Sequence, residues 1–355
     1  MSLFINIYFD STIQVHGIAV FCEDNELSSK TEEKNNIKEQ RDKIRSLNYA
    51  VCFFLIFLQY NITAMLSILI PTKDYDCHLL VEELQRQGEA LGCPYEILLG
   101  EDGTQPENLR LNMSAELLDN CRRIIMEKNI GRANIRNALA LEAKYRDILF
   151  IDCDAIVEKP DFLECYIKAL KENEVVCGGL YHADKQPDTE CSLRFRYEKE
   201  ADKQRDAATR NKAPYERFTT FNFAIRRELF MSILFNPNIV RYGHEDTLFG
   251  KELERGGHKI LHIDNKLLHN GLESNSIYLA KVEQSIMALN EIKDSIVSTP
   301  LINAAEKLQK WHMHGIFMFF WRIFKGTIRK NLLSKAPSLA MLKIYKLGFY
   351  LSQNR

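Results

Sequence analysis

Four apolar residues run without a break into two carboxylates at Ile148-Leu149-Phe150-Ile151-Asp152-Cys153-Asp154. An apolar run of this length fits a strand buried on both faces of a parallel sheet. Acids at its end then fall on the carboxyl edge, where open α/β sheets bind ligands. On an extended chain, side chains two residues apart point to the same side. Asp152 and Asp154 would together offer hard oxygen ligands to a divalent cation. A strand that ends in a solvated acidic turn is the competing reading of the same residues.

The surrounding sequence extends this strand into a fold. Leu66–Ile70 reads as a strand stopped by Pro71, and His78–Ala90 as a helix with Leu79, Leu80, Val81 and Leu84 apolar. Tyr95–Leu99 and Arg123–Met126 read as strands, and Ala133–Ala143 as a helix. Pro160 suits a first helical turn, in a helix running to about Lys171. Val175-Val176-Cys177-Gly178-Gly179 follows as another strand. Such β–α alternation predicts an α/β fold with a mostly parallel central sheet and helices on both faces. The chain has no G-x-G-x-x-G and no Walker loop, which counts against ordinary dinucleotide and P-loop chemistry.

Residues 1–64 follow a different pattern. Residues 23–45 mix charges without a core-building period, and Tyr49–Tyr60 is apolar except for Gln59. That run is short for a membrane span and lies too far from the start for a signal peptide. Asn61-Ile62-Thr63 matches a glycosylation acceptor, with no other secretory feature beside it. Three readings of residues 1–64 stand, a membrane-associating extension, a packed helix or sequence upstream of the native start, and the last is favoured because the compact pattern begins at Met65. The nine cysteines show no paired spacing, the usage of reduced thiols in a cytosolic setting.

Several groups could carry chemistry. Glu101-Asp102-Gly103 follows the second strand; Asp102 could accept hydrogen bonds from a nucleobase or ribose, or simply form an acidic turn. Arg132 and Arg136 open a helix four residues apart and share a face. They could hold a diphosphate bidentately at a helix N-terminus, or form a solvated basic face. Glu245 and Asp246 precede a helical run from Leu248 to Arg255. Acids there suit the helix dipole, and one could also serve as a base for an acceptor hydroxyl. His269 near apolar residues is most simply a structural histidine; beside upstream carboxylates it becomes a candidate ligand for Mn²⁺ or another divalent ion.

In order and spacing, these motifs resemble a family 2 glycosyltransferase of the GT-A fold over about Met65–Leu279. Ser67-Ile68-Leu69-Ile70-Pro71-Thr72-Lys73-Asp74 resembles the family's first strand and turn, with Lys73-Asp74 where Tyr-Asn is common. Glu101-Asp102-Gly103 resembles its nucleotide-contacting turn, with Glu101 in place of a first Asp. Asn129-x-Gly131-x-Ala133-x-x-Arg136-Asn137 matches its helix start, and Asp152-Cys153-Asp154 its Asp-x-Asp motif. Asn222-Phe223-Ala224-Ile225-Arg226-Arg227 resembles the strand lining the acceptor side, and Gly243-His244-Glu245-Asp246 a Gly-Trp-Glu-Asp motif in which His244 replaces Trp.

The resemblance implies inverting transfer from a nucleotide-diphosphate sugar, expected to be a UDP-sugar, to a hydroxyl of a saccharide or lipid-linked saccharide in cell-surface polysaccharide synthesis. It implies Asp246 as base with Glu245 holding the acceptor hydroxyl. Donor contacts fall to Pro71, Thr72, Asp102, Arg132, Arg136, Asn137 and Asp152, and acceptor contacts to Asn222 and His244. Mn²⁺ or Mg²⁺ would be held by Asp154 and His269, with Asp152 close by. A sugar-nucleotide nucleotidyltransferase would carry a glycine-rich basic loop after its first strand, and Pro71-Thr72-Lys73-Asp74 offers none. A non-catalytic membrane-associated binding protein is the other alternative.

The expected organisation is an extension over 1–64, a catalytic domain over 65–280 and a helical, basic and aromatic region over 281–355. Net charge is -1, yet residues 307–355 hold ten Lys or Arg and no Asp or Glu. Aromatic, apolar and basic residues without acids suit a helix lying on an anionic membrane rather than on nucleic acid. The expected location is cytoplasmic, peripheral at the inner face of the cytoplasmic membrane. A C-terminal helical pair packed on the domain is the alternative.

Overall fold

The computed structural model describes residues 4–9, 15–21, 65–185, 189–238, 242–292 and 299–353. The chain divides into two compact units, Met1–Tyr60 and Asn61–Arg355. In the first, Phe4–Phe9 (β1) and Val15–Phe21 (β2) pair antiparallel, with Phe4 opposite Phe21. The apolar run at 49–60, the mixed-charge run before it and the Asn61 acceptor lie outside the described residues.

The second unit is built on a seven-stranded sheet. Its strands are Leu66–Thr72 (β3), Tyr95–Asp102 (β4), Cys121–Met126 (β5), Asp147–Ile151 (β6), Val175–Cys177 (β8), Asn222–Arg226 (β10) and Ile260–His262 (β11). The spatial order is β11-β8-β10-β6-β3-β4-β5. β6, β3, β4 and β5 run parallel, and β10 is antiparallel to both of its neighbours. Every residue of β4 and β6 is buried, as expected for strands covered on both faces. Alternation along β3 divides the core. Leu66, Ile68 and Ile70 join the cluster with Val81 and Phe162, whereas Leu69 joins Phe150, Leu139 and Phe223 on the opposite face.

His78–Ala90 (α1) and Phe162–Ala169 (α3) cover the first face; Arg132–Glu142 (α2), Arg227–Ile233 (α6) and Glu245–Arg255 (α7) cover the second. The expected α/β architecture is the one observed. Pro160 precedes α3 rather than occupying its first turn, since the helix begins at Phe162 after Asp161. A small sheet of Ala155–Ile156 (β7), Leu180–Tyr181 (β9) and Leu267–His269 (β12) lies in the order β7-β12-β9.

The C-terminal region is helical: Asn275–Glu291 (α8), Pro300–Lys310 (α9), His314–Leu332 (α10) and Leu339–Gln353 (α11). These helices form a third core with Leu193 of Ser192–Asp202 (α4) and Leu248 of α7. Among the described residues, no helix is long and apolar enough to cross a membrane.

Candidate active site

Parallel strands place their carboxyl ends side by side, and the site forms where β3, β4 and β6 end. β6 stops at Ile151, and the Asp152 carbonyl accepts the Ala155 N–H at 3.2 Å. The chain therefore turns at once, and the two acids do not share an extended segment. Asp152 faces two guanidiniums: Arg136 Nη2 at 2.5 Å from Oδ1 and Arg132 Nη2 at 3.0 Å from Oδ2. Asp154 Oδ2 instead lies 3.2 Å from His269 Nε2. The expectation that Asp152 and Asp154 present one joint cation site is corrected by this turn: both Asp152 oxygens are occupied by arginines.

The four-residue spacing of Arg132 and Arg136 on α2 aims both at one partner. Arg136 is 1% exposed, and its Nε has no hydrogen-bond partner. Glu245, at the start of α7, completes the cluster, its Oε1 lying 3.3 Å from Arg132 Nε and 3.9 Å from Arg136 Nη1. Two cations and two anions thus neutralise one another. Arg132 remains about half exposed and stacks over the Tyr242 ring at 5.3 Å, so it is the cluster's accessible cation.

Asp246 follows Glu245 into a polar cavity of about 380 Å³ that Asp154, His269, Arg194 and Tyr242 also line. Its Oδ1 accepts the Thr247 N–H at 2.7 Å. Burial, reinforced by the charge of Glu245, pushes the Asp246 carboxyl up to about 6. A carboxylate in that range is ionised at neutral pH yet more basic than a solvated one, which suits proton abstraction. Gly243 (φ 101°) and His244 (φ 68°) both adopt left-handed backbone before α7. A Cβ on Gly243 would come within 2.9 Å of Ser285 Oγ, and that hydroxyl lies 3.1 Å from His244 Nε2.

His269 carries a conflict. Its Nε2 lies 3.1 Å from Arg194 Nη2 and 3.2 Å from Asp154 Oδ2. Guanidinium only donates and carboxylate only accepts. As acceptor, Nε2 satisfies Arg194 and turns its lone pair on Asp154; as donor, it satisfies Asp154 and meets an N–H. A divalent cation between Nε2 and Oδ2 removes the conflict, since both atoms then donate electron pairs to it. Arg194 keeps Glu273 as a partner at 2.7 Å. The Asp154 carboxyl is held below its ordinary value: burial acts the other way but is outweighed by His269, Arg194 and Arg132. Gly271 makes room for it, as a Cβ there would stand 1.9 Å from Asp154 Oδ2. Among the described residues no group of three His, Cys, Asp or Glu could hold a metal. Asp154 and His269 are two donors of the type a divalent cation takes.

Other expected site residues hold the scaffold. Asp102 accepts the N–H groups of Ile130 (2.7 Å) and Gly131 (3.1 Å), fixing the turn into α2. Asn137 exchanges hydrogen bonds with the Phe235 backbone at 2.8 and 2.9 Å. Thr72 is buried against Cys77 and Tyr75, and Pro71 lies within β3 opposite Gly100. Asn222, expected on the acceptor side, is instead wholly buried; it binds Tyr166 Oη (2.5 Å) and the carbonyls of Gly179 and Asn265. With its side-chain groups consumed, it cannot reach an acceptor.

The sequence reading missed Arg194, Glu273, Tyr242 and His182. His182 is buried, with Nδ1 3.1 Å from Asp202 Oδ1 and Nε2 without a partner. Arg194 sits between Leu193 and Phe195. A charge flanked by apolar residues was the one available signal, and it does not specify a partner.

Residues 67–234 match the family described as Glycosyl transferase family 2. None of the curated proteins matches the chain significantly. Among solved structures, the mannosyltransferase PcManGT from Pyrobaculum calidifontis, in complex with GDP-Man and Mn²⁺, is similar at 14% identity. That likeness covers 64% of each chain, with a TM-score of 0.47. TarS 1-349 from S. aureus is similar at 15% identity over 82% of this chain and 92% of that one, with a TM-score of 0.46. Its complex with UDP-GlcNAc gives 14%, 82%, 93% and 0.44 for the same quantities. Asp246 and His269 lie beyond the matched family segment, so their roles rest on geometry.

Proposed function

We propose that this chain, whose residues 67–234 match the glycosyl transferase family 2 model, is a glycosyltransferase that transfers a sugar with inversion. The donor is a nucleotide-diphosphate sugar, with uridine as its nucleoside. The acceptor is a hydroxyl of a saccharide or lipid-linked saccharide used in cell-surface polysaccharide synthesis. The observation that carries the proposal is a basic carboxylate and a cation-fitting pair in one cavity: Asp246 raised to about 6, and Asp154 3.2 Å from His269.

Asp246 takes the proton from the acceptor hydroxyl as that oxygen attacks the anomeric carbon. One base and one direct displacement by the acceptor oxygen invert the anomeric centre. Glu245 holds Arg132 and Arg136 in place beside the base. Arg132, half exposed, meets the diphosphate and stabilises negative charge as the glycosidic bond breaks. Arg136 and Asp152 set the position of Arg132 from beneath. Asp154 and His269 would hold Mn²⁺ or Mg²⁺, which when bound neutralises the leaving diphosphate as a Lewis acid.

One face of α10 supports a peripheral membrane location at the inner face of the cytoplasmic membrane. Met318, Trp321 and Ile328 pack inward, while Phe319 (60%), Phe320 (52%) and Ile323 (55%) are exposed. An apolar face beside Arg322, Lys325 and Lys330 suits anionic lipid. A thermal-shift panel of UDP-, GDP- and dTDP-sugars with Mn²⁺ tests the donor. Stabilisation by a UDP-sugar that needs the metal is expected; no stabilisation by any nucleotide sugar would overturn the reading.

A further inference from the structure

A larger apolar groove adjoins the catalytic cavity. It has a volume of about 800 Å³ and shares Glu198, Tyr242, His244, Lys281 and Ser285 with the cavity, so the two spaces meet at those side chains. Its walls come from α8, α9 and α11, outside the segment that matches the family, and from Tyr197 and Glu198 of α4, inside it. On α8, Val282, Ile286 and Leu289 recur at helical spacing and face Ile344 and Leu347 of α11, with Ala304 of α9 closing the side. A groove of this size lined by aliphatic side chains is built for a ligand with an apolar body.

Its polar residues indicate what that body carries. Lys343 and Lys346 line the groove. Lys346 stacks over the Tyr197 ring at 4.4 Å, and among the described residues neither lysine lies in an ion pair with a carboxylate. Lys281, at the junction with the cavity, pairs with Glu273 and lies 5.1 Å from the Tyr242 ring. Glu198 is the acid on the lining, and it is bound to Arg205 at 2.7 Å. Free cations beside an aliphatic channel complement an anionic head on an apolar chain.

We propose that this groove seats the apolar chain of an amphiphilic, phosphate-bearing acceptor. The chain would lie between α8 and α11, the phosphate against Lys343 and Lys346, and the acceptor hydroxyl toward Asp246. The inference rests on the transfer reading above and names the class of its acceptor.

The test is calorimetric titration of the full chain with octyl, decyl and dodecyl phosphate below their micelle concentrations. Inorganic phosphate and decyl glucoside serve as controls. Burial of each added methylene should tighten binding about three- to fourfold, and inorganic phosphate should bind far more weakly than any alkyl phosphate. Ala304→Trp fills the groove and should abolish the chain-length dependence; Ile344→Trp does the same from α11, at a position 45% exposed and therefore tolerant. Lys343→Ala with Lys346→Ala should weaken the alkyl phosphates at least tenfold and leave decyl glucoside unchanged. Affinity independent of chain length, or unchanged in both groove-filling variants, would overturn the proposal, as would a dimer in sedimentation that buries the groove. Nucleotide-sugar stabilisation measured on the same samples separates the two readings. Its loss in the wild-type chain defeats the donor assignment, while its retention alongside absent alkyl-phosphate binding defeats the groove assignment alone.

Discussion

Replacing Asp246 by Asn separates catalysis from stability in a way the structure specifies. Burial and the charge of Glu245 raise the Asp246 carboxyl from an ordinary 3.8 to about 6. That displacement corresponds to a ceiling of about 3 kcal/mol at neutral pH. The carboxylate borders a polar cavity, which lowers the effective cost of its charge, so roughly 1–3 kcal/mol is the expected range. The sign follows from proton binding. The folded state holds the proton between about pH 4 and 6 while the unfolded state has lost it. The stabilising contribution of this group is therefore present below about pH 4 and is lost as pH rises through 6. Asn cannot ionise and still accepts the Thr247 N–H. Asp246→Asn should thus match the wild type near pH 4 and exceed it above pH 6, with Tm higher by about 2–6 °C. Transfer should fall by 10²–10⁴ through loss of the base, with nucleotide-sugar binding retained. Calorimetric melts from pH 4 to 8, paired with coupled transfer assays, read both effects. Near-normal turnover would remove Asp246 as the base, and a Tm difference that does not grow between pH 4 and 6 would refute the buried-carboxylate argument.

Four further outcomes are expected. In wild-type enzyme, kcat/KM should fall as pH drops below about 6, where Asp246 takes up its proton; a profile flat to pH 5 contradicts that. Arg136→Met should destabilise the fold by about 3 kcal/mol in urea melts, because it leaves Asp152 short of its buried partner; an unchanged midpoint contradicts that. His269→Ala should raise the Mn²⁺ concentration for half-maximal binding, read by electron paramagnetic resonance, at least about tenfold, and unaltered Mn²⁺ binding would exclude His269 as a ligand. Phe319→Ser with Ile323→Ser should abolish sedimentation with anionic vesicles at moderate salt while leaving nucleotide-sugar binding intact; retained sedimentation would take α10 out of the membrane reading.

The legible parts of the fold were those governed by local pattern. Leu66–Ile70, apolar but for Ser67, and Ile148–Ile151 are bounded by Pro71 and by Asp152, and burial on both faces leaves such runs no alternative to an interior strand. Arg132 and Arg136 were legible as a pair because helical spacing alone puts them on one face. Partners across the fold were not legible. Asp152 and Asp154 are two residues apart, yet a turn sends one to α2 and the other to β12, and turn geometry depends on what each carboxylate can reach. Asn137 spends its amide on the Phe235 backbone, and Asn222 on Tyr166 and two backbone carbonyls; an amide's composition does not reveal which role it takes. Arg194 comes from α4, a helix with little amphipathic pattern, so its approach to His269 emerges only once β12 and α8 are in place.

The central claim is sugar transfer with release of a nucleoside diphosphate. Incubating the full chain with a UDP-sugar, diamagnetic Mg²⁺ and a decyl-phosphate-linked saccharide, and following both products by ³¹P and ¹H nuclear magnetic resonance, tests it most directly. The account predicts UDP together with a product of inverted anomeric configuration, both lost in Asp246→Asn and on chelation of the metal. Release of UMP, retention of the anomeric configuration, or turnover that survives Asp246→Asn would contradict it.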